Sequence, residues 1–242
     1  MNILAVIPAR YGAKRLPGKP LIPLRGRPLV QWVFDAARSC PSFTQTVVAT
    51  DSDAVADCVR SFGGEVEMTR DDHQSGTDRV AEVAERYPEH EVIVNVQGDQ
   101  PFVTSQMLTR LVEPYLNGER PEMTTLACPL DASLDVADPN VVKVVCDVSG
   151  GALYFSRSPV PHGERAPVLH HLGLYAFTKD FLLEFAKLPR TPLEESEGLE
   201  QLRALEHGHS ITVCRTDAPI FEINTPQDCI RAEELMALEG SK

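Results

Sequence analysis

The chain has 242 residues, 43% of them apolar, and its 23 Lys and Arg against 35 Asp and Glu leave a net charge of -12. That length suits one α/β domain with an elaboration, and the apolar fraction fits an ordinary packed core. No apolar run approaches the roughly 20 residues that cross a bilayer, and the acidic balance argues against nucleic acid or an anionic membrane as partner.

Met1 to Ile7 reads as a short, fully buried parallel strand stopped by Pro8. The loop after it, Arg10 to Arg27, is rich in Gly and Pro, so its backbone can approach a ligand closely and stay rigid. The first 34 residues hold six bases (Arg10, Lys14, Arg15, Lys19, Arg25, Arg27) and no acid, although the chain as a whole is acidic. A basic loop after a buried strand points to a site for several phosphates. It is not a Walker loop, because Pro20 follows Lys19 where Ser or Thr is required, and it lacks the G-x-G-x-x-G fingerprint.

Further along, Pro28 to Ala37 has helical spacing, and Thr46 to Thr50 is a second buried strand running into Asp51. A helix from Asp53 to Phe62 closes at Gly63 and Gly64, and Glu65 to Met68 is a third strand. The polar stretch from Thr69 to Arg79 lies between that strand and a helix starting near Thr77. Such a loop borders the ligand edge of a parallel sheet, with Ser75 or Thr77 as helix caps and His73 as a surface or capping residue. Glu91 to Val96 is the strongest strand. It delivers Gln97, Gly98 and Asp99, a carboxylate placed to hold a hard cation such as Mg2+ beside substrate phosphates.

The second half is less regular. Met123 to Pro129, Val141 to Val148 and Leu169 to Thr178 read as strands, while Gly150 to Pro161 contains two prolines that exclude a central strand. A helix is expected from Phe181 to Lys187, and a capping box at Thr191 and Glu194 predicts a long helix to about Glu206. Strands near Ile211 to Cys214 and Ile220 to Ile223 precede a last helix capped at Thr225 and Asp228. His170 and His171, adjacent on a strand, face opposite ways, so one of them at most lines a site. The six cysteines are scattered without a C-x-x-C pair and read as reduced thiols in a cytoplasmic protein.

The stretches IPARYGAKRLPGKPL, MTRDDHQSGTDR, VNVQGDQP, ALYFSR, HHLGLYAF and LEQLRALEHG, in this order, resemble the 3-deoxy-manno-octulosonate (Kdo) cytidylyltransferases of lipopolysaccharide assembly. The first is shared among sugar cytidylyltransferases; the others are specific. The resemblance implies a Rossmann-like nucleotidyltransferase fold with a mixed, mostly parallel sheet. Residues 1–120 would form the nucleotide-binding core, about 121–210 a sugar-binding and dimerisation elaboration, and 211–242 a return to the core. It implies a homodimer, Mg2+, and the conversion of CTP and Kdo to CMP-Kdo and pyrophosphate. Pro8, Ala9, Arg10, Arg15, Lys19, Ser75 and Gln97 would hold the nucleotide, with Arg10, Arg15, Lys19 and Asp99 catalytic. Arg79, Gln97, Tyr154, Arg157, His171, Glu200 and Gln201 would line the sugar-acid pocket. Asp99 and residue 224 would bind the metal. Here residue 224 is Asn, without the family's negative charge, which implies weaker or displaced magnesium with Glu222 recruited. Gln100 replaces the common Glu. The branch that uses 8-amino-8-deoxy-Kdo shares features of this pattern. Another sugar acid as acceptor, and a CTP-binding protein with impaired turnover, are the competing readings.

Overall fold

The computed structural model describes residues 1–12, 16–131, 134–163 and 167–239. The chain forms two compact units: one of Asn2–His90, Val94–Leu108 and Ile220–Lys242, the other chiefly of Glu91–Ile93 and Thr109–Pro219. They are called the first and second units below.

The first unit opens with β1 (Ile3–Pro8), where Ile3 to Ile7 are wholly shielded from solvent, as a continuous apolar run requires of a strand covered on both faces. A single 3-10 turn (Lys19–Leu21) and a two-rung hairpin of β2 (Pro23–Leu24) and β3 (Arg27–Pro28) lead into α1 (Leu29–Arg38). Leu29, Val30, Val33, Phe34 and Ala37 form its buried stripe, and Pro28 is its N-cap. Next come β4 (Gln45–Thr50), α2 (Asp53–Ser61), β5 (Glu65–Met68) and α3 (Gly76–Glu85), then β6 (Val92–Asn95), of which Val94 and Asn95 belong to this unit. β4 runs parallel to both β1 and β5, and Val96 N, just past β6, bonds Val6 O at 3.0 Å. Parallel strands send their C-terminal ends to one edge, so Pro8, Thr50 and the turn after β6 gather there.

The helix α4 (Ser105–Leu116) was not anticipated from the sequence. Its apolar residues Met107, Leu108, Leu111, Val112 and Tyr115 are all buried. Pro114 inside the helix obscures that pattern, although Thr104 Oγ1 accepts from Met107 N at 3.2 Å as a cap would.

The second unit holds β7 (Met123–Pro129), β8 (Lys143–Cys146), β9 (Ala152–Ser156), β10 (Leu169–Thr178), α5 (Lys179–Phe185), α6 (Pro192–Glu197), α7 (Leu202–Glu206) and β11 (Ile211–Arg215). β7 pairs antiparallel with β10 and parallel with β11, while β8 joins β10 to β9, both antiparallel. Phe177, Phe181 and Phe185 fill its core with ring centroids 6.0 to 6.4 Å apart.

Two expectations are corrected. The long helix from Thr191 to Glu206 is two short ones, because Gly198 takes a left-handed conformation (φ 61°) that ends α6. Ile220 to Ile223 is no strand: only its two ends are buried, Ile223 packing with Ala232 and Met236 of α8 (Pro226–Glu239), and its link to the Asp99 turn is the Ile223 N to Asp99 O bond at 2.9 Å. Leu24, Leu29, Ile223, Ala232 and Met236 pack together, so the last helix of the first unit closes over the base of its N-terminal loop.

Candidate active site

At the shared strand edge of the first unit lies a cavity of about 400 Å³. Its lining includes Pro8, Ala9, Arg10, Lys19, Ser75, Arg79, Gln97, Asp99 and Asn224, so one wall brings together nearly all of the nucleotide and metal residues expected from the sequence. Arg15, and Lys14 beside it, lie outside the described residues.

Each wall is placed by local chemistry. Ala9 N bonds Ala49 O at 2.8 Å and Ala9 O accepts from Thr50 Oγ1 at 2.7 Å, which fixes the exit of β1 against β4. The turn after β6 passes so near that a Cβ on Gly98 would lie 2.8 Å from Pro8 O, a distance that side chains do not tolerate. Ser75 caps α3 in a reciprocal box, its Oγ accepting from Asp78 N at 3.1 Å and its own N donating to Asp78 Oδ2 at 3.0 Å. Arg79, 2% exposed, donates to Asp51 Oδ2 at 2.8 Å and to Thr69 Oγ1. Asp51, at the end of β4, thus aims a guanidinium that retains further N–H donors.

The basic loop divides in function. Gly18 N returns to Tyr11 O at 3.0 Å, and the left-handed Gly18 turns the chain so that Lys19 enters the cavity. Arg10 is exposed on the lining. Arg27 instead pairs with Asp35 and stacks 4.4 Å over Trp32, and Arg25 N donates to Glu233 at 2.9 Å. Of the four bases that fall within the described residues of this loop, Arg10 and Lys19 line the cavity, Arg27 serves the scaffold, and Arg25 is tied to α8 through its backbone N–H.

Lys19 Nζ donates to Asp99 Oδ2 at 2.7 Å and to Asn224 Oδ1 at 3.4 Å. Asn224 is delivered by the start of α8, where Asp228 Oδ2 accepts from Asn224 N at 2.9 Å and from Thr225 N at 2.7 Å. Since Lys19 only donates, it fixes the Asn224 amide, whose Nδ2 then faces Glu222 Oε2 at 3.4 Å. The other oxygen of Glu222 accepts from buried Gln100 Nε2 at 2.9 Å. Desolvation by the surrounding groups and the charge of Asp99 push the Glu222 pKa above the usual carboxylate range, against the pull of these amides and Lys19.

His73 contradicts the surface-or-cap reading. Its side chain is 4% exposed, lines the cavity, and meets Glu82 Oε2 through Nε2 at 2.5 Å. Burial alone would raise the Glu82 pKa, but bonds from His73 and Arg70 N and the charge of Arg86 outweigh it and hold the carboxylate low. The two partners are nine residues apart on different elements, a separation with no helical or strand period to reveal it.

The remaining expected sugar residues belong to the second unit. His171 on β10 is buried, its Nε2 2.9 Å from Thr125 Oγ1, and burial with the neighbouring His170 pushes its pKa down to about 3. It is therefore a neutral imidazole at ordinary pH. A bulge in β10 between His171 and Tyr175 brings their rings to 5.5 Å, and Tyr175 OH donates to Gln201 Oε1 at 3.0 Å. Gln201 is 2% exposed, and its Nε2 is buried without a partner among the described residues. Glu200 precedes it, half-buried. Tyr154 and Arg157 are tied together by Glu197, a residue the sequence reading missed. It accepts from Ser156 Oγ at 2.7 Å, Arg157 N at 2.8 Å and Tyr154 OH at 3.4 Å. Arg157 also donates to Glu197 O, Pro139 O and Gly198 O, which commits three of its N–H groups to the scaffold.

The cytidylyltransferase family model matches residues 4–211. A 3-deoxy-manno-octulosonate cytidylyltransferase of Acaryochloris marina is 62% identical over 236 residues, covering 96% of this chain and 96% of that one. Its counterpart in Synechococcus elongatus is 52% identical, covering 96% and 97%. Among solved structures, CMP:2-keto-3-deoxy-manno-octonic acid synthetase complexed with CTP superposes with a TM-score of 0.94 at 37% identity, covering 99% of this chain and all of that one. A 4-diphosphocytidyl-2C-methyl-D-erythritol synthase from Anaerococcus prevotii shares the fold at a TM-score of 0.66 and 15% identity, over 98% of this chain and 96% of that one.

Proposed function

The chain belongs to the 3-deoxy-manno-octulosonate cytidylyltransferases, and on that premise we propose that it transfers CMP from CTP to the anomeric hydroxyl of Kdo, releasing pyrophosphate. The observation that carries this reading is the cavity of the first unit, which places Arg10, Lys19, Ser75 and Asp99 on one wall in a fold matching a CTP complex.

The chemistry suits such a wall. The anomeric oxygen attacks the α-phosphorus, the bond from that phosphorus to the bridging oxygen breaks, and pyrophosphate leaves with the electron pair. No covalent enzyme intermediate is required, so catalysis rests on alignment and on neutralising charge as it develops. Lys19 and Arg10 supply cationic groups for the triphosphate, joined by Arg15. The close passage of Gly98 past Pro8 holds the turn bearing Asp99 against the end of β1. Ser75, whose Oγ accepts from Asp78 N, lines the cavity where a ribose or base would lie.

Among the described residues no group of three or more His, Cys, Asp or Glu forms a ready cation cage. Magnesium needs none, since it takes one or two carboxylates and completes its shell with water and substrate phosphate oxygens. Asp99 beside an amide oxygen of Asn224 fits that donor set. A bound Mg2+ would offset charge on the triphosphate and draw electron density from the α-phosphorus. The second-unit residues Tyr154, Arg157, His171, Glu200 and Gln201 are assigned to the sugar acid, with neutral His171 and the buried Gln201 Nε2 as hydroxyl partners. The protein works as a cytoplasmic homodimer in this reading. Pyrophosphate release from CTP and Mg2+, with Kdo and 8-amino-8-deoxy-Kdo as parallel acceptors, tests it. Release with Kdo at the higher kcat/KM is expected, and silence with both sugars would refute it.

A further inference from the structure

We propose that His73 recognises the nucleoside of the bound CTP, its ring held by Glu82 so that Nδ1 accepts a hydrogen bond from an O–H or N–H of that nucleoside. This deepens the cytidylyltransferase reading above and rests on it.

The ring belongs at once to the cavity and to a carboxylate. His73 lines the cavity with its side chain 4% exposed, and its Nε2 lies 2.5 Å from Glu82 Oε2. Glu82 is fixed in turn. Its Oε2 accepts from Arg70 N at 3.2 Å, and its Oε1 accepts from Arg86 Nη2. Burial opposes the charge of Glu82, yet bonds from His73 and Arg70 N and the charge of Arg86 keep the carboxylate ionised. An ionised carboxylate only accepts, so the ring proton that faces it stands on Nε2. Arg86 already meets the negative charge of Glu82, and a neutral imidazole suffices as its second partner. In that tautomer Nδ1 is an acceptor, and it makes no hydrogen bond among the described residues.

The segments that line the cavity differ in charge, which says what part of the nucleotide each one suits. Arg10 and Lys19 come from the loop after β1 and bring the cations that a triphosphate needs. His73 and Ser75 come from the segment between β5 and α3, which offers phosphate little. The start of α3 is closed by Asp78, whose carboxylate accepts from Ser75 N at 3.0 Å, so a phosphate there would meet like charge. Arg79, on the first turn of α3, has its charge met by Asp51 Oδ2 at 2.8 Å. Uncharged donors suit this segment better, and CTP carries two kinds: the ribose hydroxyls and the exocyclic amine of cytosine.

The test compares the Kd values of the parent and of His73→Gln for CTP, its two monodeoxyribose analogues, UTP and inorganic tripolyphosphate, by calorimetry with Mg2+ present. Glutamine can set its Nε2 where the ring has Nε2–H, so Glu82 keeps a donor while the Nδ1 acceptor is lost. CTP affinity should fall about 3–10-fold, the scale of one hydrogen bond, while tripolyphosphate binding stays within about twofold. The same factor should vanish from one preference of the parent: CTP over a deoxyribose analogue if a hydroxyl donates, CTP over UTP if the amine donates. Preferences that all stay unmoved, or tripolyphosphate weakened in step with CTP, would overturn the proposal. A second measurement does not depend on the variant. Proton–nitrogen correlation spectra of the parent at about pH 8, above the ordinary imidazole range, should place the His73 proton on Nε2 and show Nδ1 shifting as CTP binds. A proton on Nδ1 would overturn the proposal as well. Should the parent release pyrophosphate from CTP and Kdo while His73→Gln keeps every preference, this inference fails and the cytidylyltransferase reading stands. A parent chain that binds no CTP and releases no pyrophosphate would overturn both.

Discussion

Lys19 leaves the loop behind a left-handed glycine and reaches Asp99 at 2.7 Å with its side chain 13% exposed. An ammonium so placed can exchange a carboxylate for phosphate oxygens, as the proposed function requires of it. Lys19→Ala should therefore lower kcat about 10²–10³-fold, by analogy with loss of a single charge-stabilising donor. The same change should cost stability only about 1 kcal/mol, or roughly 2–4 °C in Tm for a chain of this size. A variant with near-parental kcat would remove Lys19 from the chemistry. His171 makes a prediction of another kind. Its folded pKa of about 3 lies below the ordinary value of 6.5. Between these values the unfolded chain binds a proton that the folded chain refuses. The stability it contributes is thus complete above about pH 6.5 and is lost as pH falls towards 3, at up to about 1.4 kcal/mol per pH unit. His171→Gln should flatten the fall in unfolding free energy between pH 6.5 and pH 4; an equally steep fall in that variant would mean that His171 titrates normally.

The paired helices α6 and α7 show what local pattern conveys and what it omits. Thr191 and Glu194 do form the expected capping box, and Gly208 does end the run. The break at Gly198 was not legible, because one glycine in a helical pattern costs only about 1 kcal/mol and is often absorbed. Here the break is enforced by tertiary partners. Arg203 grips Glu194 with two hydrogen bonds, Nε to Oε2 at 2.8 Å and Nη2 to Oε1 at 2.5 Å, and lies 4.9 Å over Phe185. Folding the two short helices together in this way sets Gln201 between them, beneath Tyr175. Both members of the ion pair are more than nine-tenths buried. Arg203→Ala leaves a buried carboxylate uncompensated and should cost roughly 3–5 kcal/mol in urea-induced unfolding. A loss below about 1 kcal/mol would show that the α6–α7 turn is held by other contacts. The strand expected at Ile220 to Ile223 was misread for a related reason: Ile220 and Ile223 are both buried, Ile223 by packing against α8, and burial alone does not supply a ladder.

Across the whole molecule, charge is the clearest signal the sequence offers. A base-rich opening on a chain of net charge -12 stands where the proposed function requires a triphosphate to be received. The nucleotide side was legible because its parts sit at strand ends, where an apolar run stops and Gly, Ser or Asp begins. Arg10, Lys19, Ser75, Gln97 and Asp99 were found in that way, and all five line one cavity. The partners that orient site residues were not legible. Glu82 behind His73, Asp51 behind Arg79 and Glu197 behind Arg157 act across 9, 28 and 40 residues, and nothing periodic links such positions. On the proposed sugar side, the resemblance names Tyr154, His171 and Gln201 but not Glu197, which ties Tyr154 to Arg157. These parts have meaning together only if one reaction uses them. The decisive measurement is therefore pyrophosphate formed from CTP and Mg2+ as Kdo is added. One pyrophosphate per CMP-Kdo, absent without sugar and faster with Kdo than with 8-amino-8-deoxy-Kdo, is the predicted result. CTP that binds yet yields no pyrophosphate with either sugar would contradict the assignment.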